Sequence, residues 1–178
     1  MPQFDRAYKL GALILECVCA KLLETTAGCP GRRCLVPGAV PEHVDCCEGQ
    51  LTVNILRGYP SFDFPNPAIG SITRNNCEDA PYTVITYAVQ IIRCAPVGTP
   101  RKAPTCDKLD ESAFTTMIDM DAVRQGVICC LRDTDTITPV AGEPFKWVLG
   151  DQETYGPEGG CVGSTAIVLA GLPTCLEC

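Results

Sequence analysis

Residues 82–94, which read YTVITYAVQIIRC, are the stretch that decides the fold. Valine, isoleucine, tyrosine and threonine dominate it, and β-branched and aromatic side chains of this kind favour a strand. Successive side chains of a strand point to opposite faces, and here apolar residues fall on both faces. The stretch therefore predicts a strand with both of its faces covered.

Other strands are predicted before and after this one. Residues 51–56 alternate between apolar and polar side chains, which is typical of a half-buried strand. Residues 144–149 and 162–172 predict a closing hairpin, joined by an acidic turn over residues 150–160.

Two helices complete the predicted elements. Residues 3–23 and residues 110–132 carry apolar side chains at the three- and four-residue spacing of a helix. Asp110 is the predicted N-cap of the second helix, because a carboxylate can accept hydrogen bonds from the free N–H groups of the first turn. The apolar face predicted for the second helix comprises Phe114, Met117, Ile118, Val127, Ile128 and Leu131.

This order of elements predicts an α+β fold in which two helices pack on a mostly antiparallel sheet. One domain is expected over residues 1–178, with long loops rich in proline and glycine at about 28–50 and 59–81. If both helices cover the same face of the sheet, the other face needs a second cover. A neighbouring subunit is one way to supply it.

Composition excludes some functional classes. The chain has 21 acidic and 14 basic residues and a formal net charge of −7, which argues against a protein that grips nucleic acid. Its longest apolar stretch, residues 10–23, is interrupted by Glu16 and Lys21, so no membrane span and no secretory signal are predicted.

The sequence offers little for catalysis. The single histidine, His43, lies in a loop, and neither a glycine-rich phosphate loop nor a recognisable serine nucleophile is present. We therefore expect no enzymatic activity and no cofactor.

Fourteen cysteines are the most unusual feature of the composition. Cys17, Cys19, Cys94, Cys129 and Cys130 fall in predicted helices and strands, where buried thiols behave as small apolar groups. Free thiols are the preferred interpretation, with disulfides among the loop cysteines as an alternative. A structural zinc ion is a further alternative, although the spacing fits zinc poorly. The candidate zinc ligands are Cys29, Cys34, His43, Cys46 and Cys47.

Four local strings carry a resemblance to a known group of proteins. They are CCEGQL at 46–51, RGYPSFDFP at 57–65, QIIRCAP at 90–96 and GGCVGST at 159–165. They resemble structural proteins of long-tailed phages of actinobacterial hosts that belong to the head-to-tail connector, most often the tail terminator. The predicted order of elements is similar to the tail terminator fold as well. The excursion at 28–50 and the cysteine density depart from that family, which leaves an adjacent connector ring (a stopper or an adaptor) as an alternative.

The resemblance implies a structural virion protein, assembled in the host cytoplasm and located at the head–tail junction. Such a protein forms a homo-oligomeric ring, expected to be hexameric, on the last ring of the major tail tube protein. It then docks onto the head-completion protein near the portal, and DNA passes through the lumen without sequence-specific binding. No membrane partner is implied. A zinc-binding interaction module and a thiol-dependent enzyme using Cys46 and Cys47 are the alternative functions.

Two sets of residues are candidate contacts in such a ring. Tyr59, Phe62 and Phe64 suit interface anchors, or alternatively they attach a long loop to its own domain. The acidic stretch at 133–158, which includes Asp151 and Glu153, is expected to line the lumen, or alternatively to form a solvated outer hairpin.

Overall fold

The fold is a five-stranded sheet with two helices packed on one of its faces. The computed structural model describes residues 3–38, 46–68, 82–98, 102–132 and 145–173. In chain order the elements of these residues are α1 (Gln3–Leu22), β1 (Arg32–Pro37), β2 (Gln50–Ser61), β3 (Tyr82–Cys94), α2 (Cys106–Arg132), β4 (Lys146–Glu158) and β5 (Cys161–Pro173). The strand order is β1-β2-β3-β5-β4, with β1 parallel to β2 and every other pair antiparallel. The predicted α+β class, a mostly antiparallel sheet with two helices in a single domain, is confirmed.

The main core lies between the helices and the sheet. Tyr87 of β3 is fully buried there, and its hydroxyl donates a hydrogen bond of 2.8 Å to the Ala7 carbonyl of α1. Burial raises the pKa of this hydroxyl well above its ordinary value, because the core disfavours the phenolate. The apolar side chains around it include Leu10, Ile14, Val18, Leu51, Val53, Val89, Ile91, Val123, Val127 and Val168.

Strand β3 has the predicted bounds, and it lies at the centre of the sheet, paired along its length with β2 and β5. Its helix-facing residues join the main core, and Val84, Ala88 and Ile92 are buried on the face opposite the helices, which we call the second face. The centre of the second face is thus already buried within one chain. It does not need a neighbouring subunit as a cover.

Helix α2 differs from its prediction in two ways. It begins at Cys106, so Asp110 lies inside the helix and is not its N-cap; the Leu109 N–H donates instead to the Thr105 carbonyl, at 3.2 Å. The predicted apolar face is also wrong at its N-terminal half, because Phe114 is 67% exposed and Met117 is 59% exposed. The residues of α2 that are buried are Thr116, Asp119, Ala122, Val123, Gly126, Val127, Cys130 and Leu131. The C-terminal half of the prediction is confirmed by Val127 and Leu131. The buried Thr116, Asp119 and Ala122 are small or polar, so the hydrophobic pattern did not reveal the N-terminal half of the face.

Three strands differ from the prediction: β1 was not predicted, and β2 and β4 are longer than predicted. Strand β1 lies inside the excursion predicted to have no regular structure, and it escaped detection because it is short and pairs at an edge. Strand β2 continues past a bulge between Ile55 and Arg57 to reach Ser61. Strand β4 extends through most of the predicted acidic turn to Glu158. The turn itself is only Gly159-Gly160, whose φ angles of 58° and 81° suit a two-residue hairpin.

Candidate functional site: assembly surfaces and the cysteine network

Four disulfides join the described parts of the chain, and they overturn the preferred interpretation of free thiols. Cys17 of α1 bonds to Cys130 of α2, with their Cα atoms 5.9 Å apart. Cys19 bonds to Cys29 just after the same helix, with a Cα separation of 5.2 Å. The prediction of unpaired thiols is therefore wrong for these residues. Among the described cysteines, Cys34, Cys106 and Cys129 remain free.

The other two disulfides meet at one corner of the sheet. The consecutive residues Cys46 and Cys47 bond to Cys161 and Cys94, with Cα separations of 5.4 and 4.2 Å. Cys94 ends β3 and Cys161 begins β5, and the two are register partners in the antiparallel pair. Four sulfur atoms from three segments thus lie in one place, which we call the corner cluster. Chain separations of 47 and 115 residues put this arrangement beyond what sequence spacing can reveal.

The predicted zinc ligands do not come together as one set. Cys29 bonds to Cys19, whereas Cys46 and Cys47 belong to the corner cluster. Cys34 lies half-buried on β1, and His43 lies outside the described residues. Across the described ranges, no group of three or more histidine, cysteine, aspartate or glutamate side chains is arranged to hold a metal ion. The physical reason why the bonded cysteines form no metal site is that a sulfur atom in a disulfide is not a thiolate and cannot act as a zinc ligand.

Two of the aromatic interface candidates attach the chain to its own domain. The Tyr59 hydroxyl donates a hydrogen bond of 2.8 Å to the Pro65 carbonyl. Phe64 is half-buried, with its ring centroid 6.4 Å from that of Tyr82. Phe62 differs from both because its side chain is 49% exposed. Of the three, Phe62 is the residue with an exposed aromatic side chain.

A separate apolar surface lies at the end of the sheet opposite to Phe62, and sequence reasoning missed it. Phe114 and Met117, three residues apart on α2, are the exposed side chains that the hydrophobic pattern had assigned to the core. Beside them runs a groove of about 260 Å³ between α2 and the β4–β5 hairpin, which we call the α2 groove. Its lining includes Pro96, Leu109, Ala113, Met117, Tyr155 and Val162. Burial raises the pKa of the Tyr155 hydroxyl far above its ordinary value, and a hydrogen bond donated by the Gln90 side chain partly opposes the shift.

The acidic candidates lie on the edge strand β4. Asp151 and Glu153 are both exposed, and Asp151 falls in a bulge between Leu149 and Gln152. The three acids of this stretch before residue 145 lie outside the described residues. Strand β4 pairs only with β5 among the described strands, so its other edge and its carboxylates are available to a partner.

One buried ion pair fixes α2 on the sheet. The Arg93 guanidinium donates two hydrogen bonds to the Asp119 carboxylate, at 2.5 and 2.8 Å, and Asp119 is 2% exposed. The nearby Asp121 points outward, where a hydrogen bond from Arg124 lowers the pKa of its carboxyl. The two acids therefore point in different directions, and Asp119 has a structural partner.

The second face carries a set of buried polar side chains in which at least one atom has no hydrogen-bond partner. Strand alternation and register place them together on β2 and β3, opposite the helices. Within the described residues, the unpaired atoms are Gln50 Nε2, Thr52 Oγ1, Asn54 Nδ2 and Oδ1, Thr86 Oγ1 and Gln90 Oε1. All five residues are 5% exposed or less. Buried polar atoms are normally paired, so this set is the largest departure from ordinary packing in the described core.

Comparison with protein-family models gives no match for this chain, and comparison with curated proteins gives none either. Neither α1 nor α2, the helices of the described residues, has the length and apolar character needed to cross a bilayer.

Proposed function

We propose that this chain is a structural virion protein that forms a ring at the head–tail junction. In this role the ring caps the tail tube and joins it to the head-completion complex near the portal. The four sequence strings support the proposal through their resemblance to head-to-tail connector proteins. The observation that carries it here is a pair of different apolar surfaces on one chain, Phe62 and the α2 groove.

These two surfaces lie at opposite ends of the sheet. Phe62 follows Ser61, which pairs with Tyr82 at the start of β3, whereas the groove begins just beyond Cys94 at the end of that strand. Strand β3 has 13 residues, which correspond to about 40 Å at ~3.3 Å per residue. Two unlike surfaces that meet between copies generate a head-to-tail contact, and such a contact closes into a ring when its rotation permits.

One pair of charges fits the same pairing. Asp63 follows Phe62 and is exposed, while Lys108 is exposed in a pocket that adjoins the α2 groove and also contains the acid Glu111. If the Phe62 ring of one subunit enters the groove of the next, these opposite charges lie on the rim of the contact. Rim charges of this kind steer association and fix its orientation more than they add affinity.

The acidic β4 strand suits the lumen of such a ring. Asp151 and Glu153 are exposed there and would present negative charge to the passing DNA. Phosphates are repelled by this lining, so the DNA would slide through without being held. The major tail tube protein and the head-completion protein are the proposed partners on the two sides of the ring.

The subunit contact is tested with two variants and their mixture. Phe62→Asp and Met117→Asp each place a charge at one half of the contact, so each variant alone should lose the wild-type oligomer. Mixed together, the two should form one-to-one dimers, because each retains the half that the other lacks. Native mass spectrometry measures all three samples. Leu23→Asp is the matched control, since Leu23 is 68% exposed but belongs to neither surface.

The role itself is tested in the particle. Phages that lack this chain should accumulate separate heads and tails of abnormal length, seen by electron microscopy. Normal joined particles would contradict the proposed function. If each variant alone still formed the wild-type ring, that result would contradict only the proposed contact.

A further inference from the structure

We infer that the corner cluster is a redox-dependent metal site: in the reduced chain, Cys46, Cys47, Cys94 and Cys161 together bind one zinc ion. The inference starts from the convergence of four sulfur atoms at one corner of the sheet. Its ligand class is a soft divalent cation, because four thiolates with no carboxylate among them prefer such a metal.

The backbone brings all four side chains within reach of one ion. Cys94 and Cys161 are register partners on β3 and β5, and the Cβ atoms of such partners lie about 4.5–5.5 Å apart on the same face. Cys46 and Cys47 each lie within bonding reach of one of these two. A tetrahedral zinc ion with Zn–S bonds of about 2.3 Å needs sulfurs about 3.8 Å apart.

The positions of the four cysteines do not depend on the disulfides alone. The Gly49 N–H donates to the Cys46 carbonyl at 3.1 Å, which closes the turn that carries the vicinal pair. Gly49 has a φ of 71° and is buried against Pro30 and the Ile92 carbonyl, so this turn is packed onto β3. The Ala95 N–H donates to the Gly160 carbonyl at 2.8 Å and holds the end of β3 to the start of β5. The ligands therefore stay close together after reduction, as a metal site requires.

The other two disulfides provide an internal comparison. Cys17–Cys130 joins two helices and Cys19–Cys29 closes a loop, and each supplies at most two sulfurs to its own location. Two thiolates do not make a structural zinc site. Reduction should therefore create a metal site at the corner cluster and leave ordinary thiols at the other two places.

The two states are related by a balanced exchange. One Zn²⁺ with four thiolates reacts with two molecules of oxidised glutathione to give two protein disulfides, free Zn²⁺ and four glutathione thiolates. The protein loses four electrons, which reduce the two glutathione disulfides. If the proposed function holds, the zinc form belongs to assembly in the reducing cytoplasm and the disulfide form to the released particle.

The test uses the full chain purified from a reducing cytoplasm with a reductant present throughout. Elemental analysis should find one zinc per chain, and titration of the metal-free chain with Co²⁺ should give tetrahedral thiolate bands that saturate at one equivalent. Cys47→Ser and Cys94→Ser should each remove the zinc. Cys34→Ser and Cys17→Ser are the matched controls and should keep it. Oxidised glutathione added to the wild type should release the zinc.

Reduced wild type that carries no more metal than Cys47→Ser and gives no cobalt bands would overturn the inference. Circular dichroism shows whether each variant folds. Should Cys47→Ser fail to fold, alkylation of the folded wild type replaces it, and zinc release in step with loss of four thiols is then the expected result. Ring formation measured on the same samples separates the two proposals. Rings that contain no metal would contradict only the zinc site. Monomers that contain zinc would contradict only the proposed function.

Discussion

Thr52 and Thr86 lie on the second face of the sheet with hydroxyl groups that are buried and unpaired. A buried hydroxyl without a partner destabilises the fold by about 1–3 kcal/mol, because it has lost its hydrogen bonds to water. Valine has nearly the same shape and no hydroxyl. Thr52→Val and Thr86→Val should therefore each raise the free energy of unfolding by about 1 kcal/mol, measured by urea denaturation.

Thr116 provides the matched control for this prediction. It is also buried, but its hydroxyl donates a hydrogen bond of 3.0 Å to the Ser112 carbonyl. Thr116→Val should lower the free energy of unfolding by about 1 kcal/mol, since it removes a satisfied hydrogen bond. Lower stability for Thr52→Val and Thr86→Val as well would mean that the two hydroxyls have partners in solution, such as ordered water.

The two helices touch most closely where Gly126 of α2 meets Val18 of α1. A Cβ atom at residue 126 would lie 2.8 Å from the Val18 Cα, which is backbone and cannot rotate away. Alanine favours a helix by about 1 kcal/mol over glycine, but overpacking in a closed interface costs about 1–3 kcal/mol. Gly126→Ala should thus lower the free energy of unfolding by up to about 2 kcal/mol, measured by thermal or urea unfolding. Gly31→Ala is the control, since Gly31 has open space around it and should tolerate the change.

This close packing explains which elements the sequence predicts and which it hides. Helix α1 and strand β3 have large apolar side chains on the buried side, and both were predicted within a residue of their observed ends. Helix α2 buries apolar residues such as Val127 and Leu131 in its C-terminal half. Its N-terminal half buries small and polar residues instead, and there Arg93 pairs with Asp119. Its exposed Phe114 and Met117 then dominate the hydrophobic pattern, so the face was assigned wrongly. The α2 groove was missed for the same reason.

The disulfide pairing could not be predicted from the sequence, for a different reason. Spacing along the chain describes local loops, whereas the bonds of Cys17 and Cys46 close separations of 113 and 115 residues. Only the register of β3 with β5 brings Cys94 beside Cys161, and register depends on the whole sheet. The aromatic candidates show the same limit, because exposure separates Phe62 from Tyr59 and Phe64 only after the strand ends are known.

At the scale of the whole molecule, one end of the sheet carries Phe62 and the other carries the α2 groove and the corner cluster. The two helices pack across the sheet between these ends and hold the two surfaces in a fixed relation. That rigidity matters for the proposed ring, because a closed ring needs the same rotation at every contact. The disulfides therefore favour assembly of the proposed ring indirectly, because they stabilise the folded subunit.

Two disulfides involve helix α1, and they allow the stabilisation from a long-range bond to be compared with that from a short-range bond. Cys17–Cys130 closes a separation of 113 residues and Cys19–Cys29 closes one of 10. Cross-linking restricts the unfolded chain more for the longer loop, by a difference of about 2 kcal/mol. Under oxidising conditions, Cys17→Ser with Cys130→Ser should therefore lower the free energy of unfolding by about 5 kcal/mol, and Cys19→Ser with Cys29→Ser by about 3 kcal/mol. Urea denaturation with and without reductant measures both, and the reductant should remove most of the difference between the variants. Equal losses under oxidising conditions would show that the long-range bond between the helices restricts the unfolded chain no more than the short-range bond does.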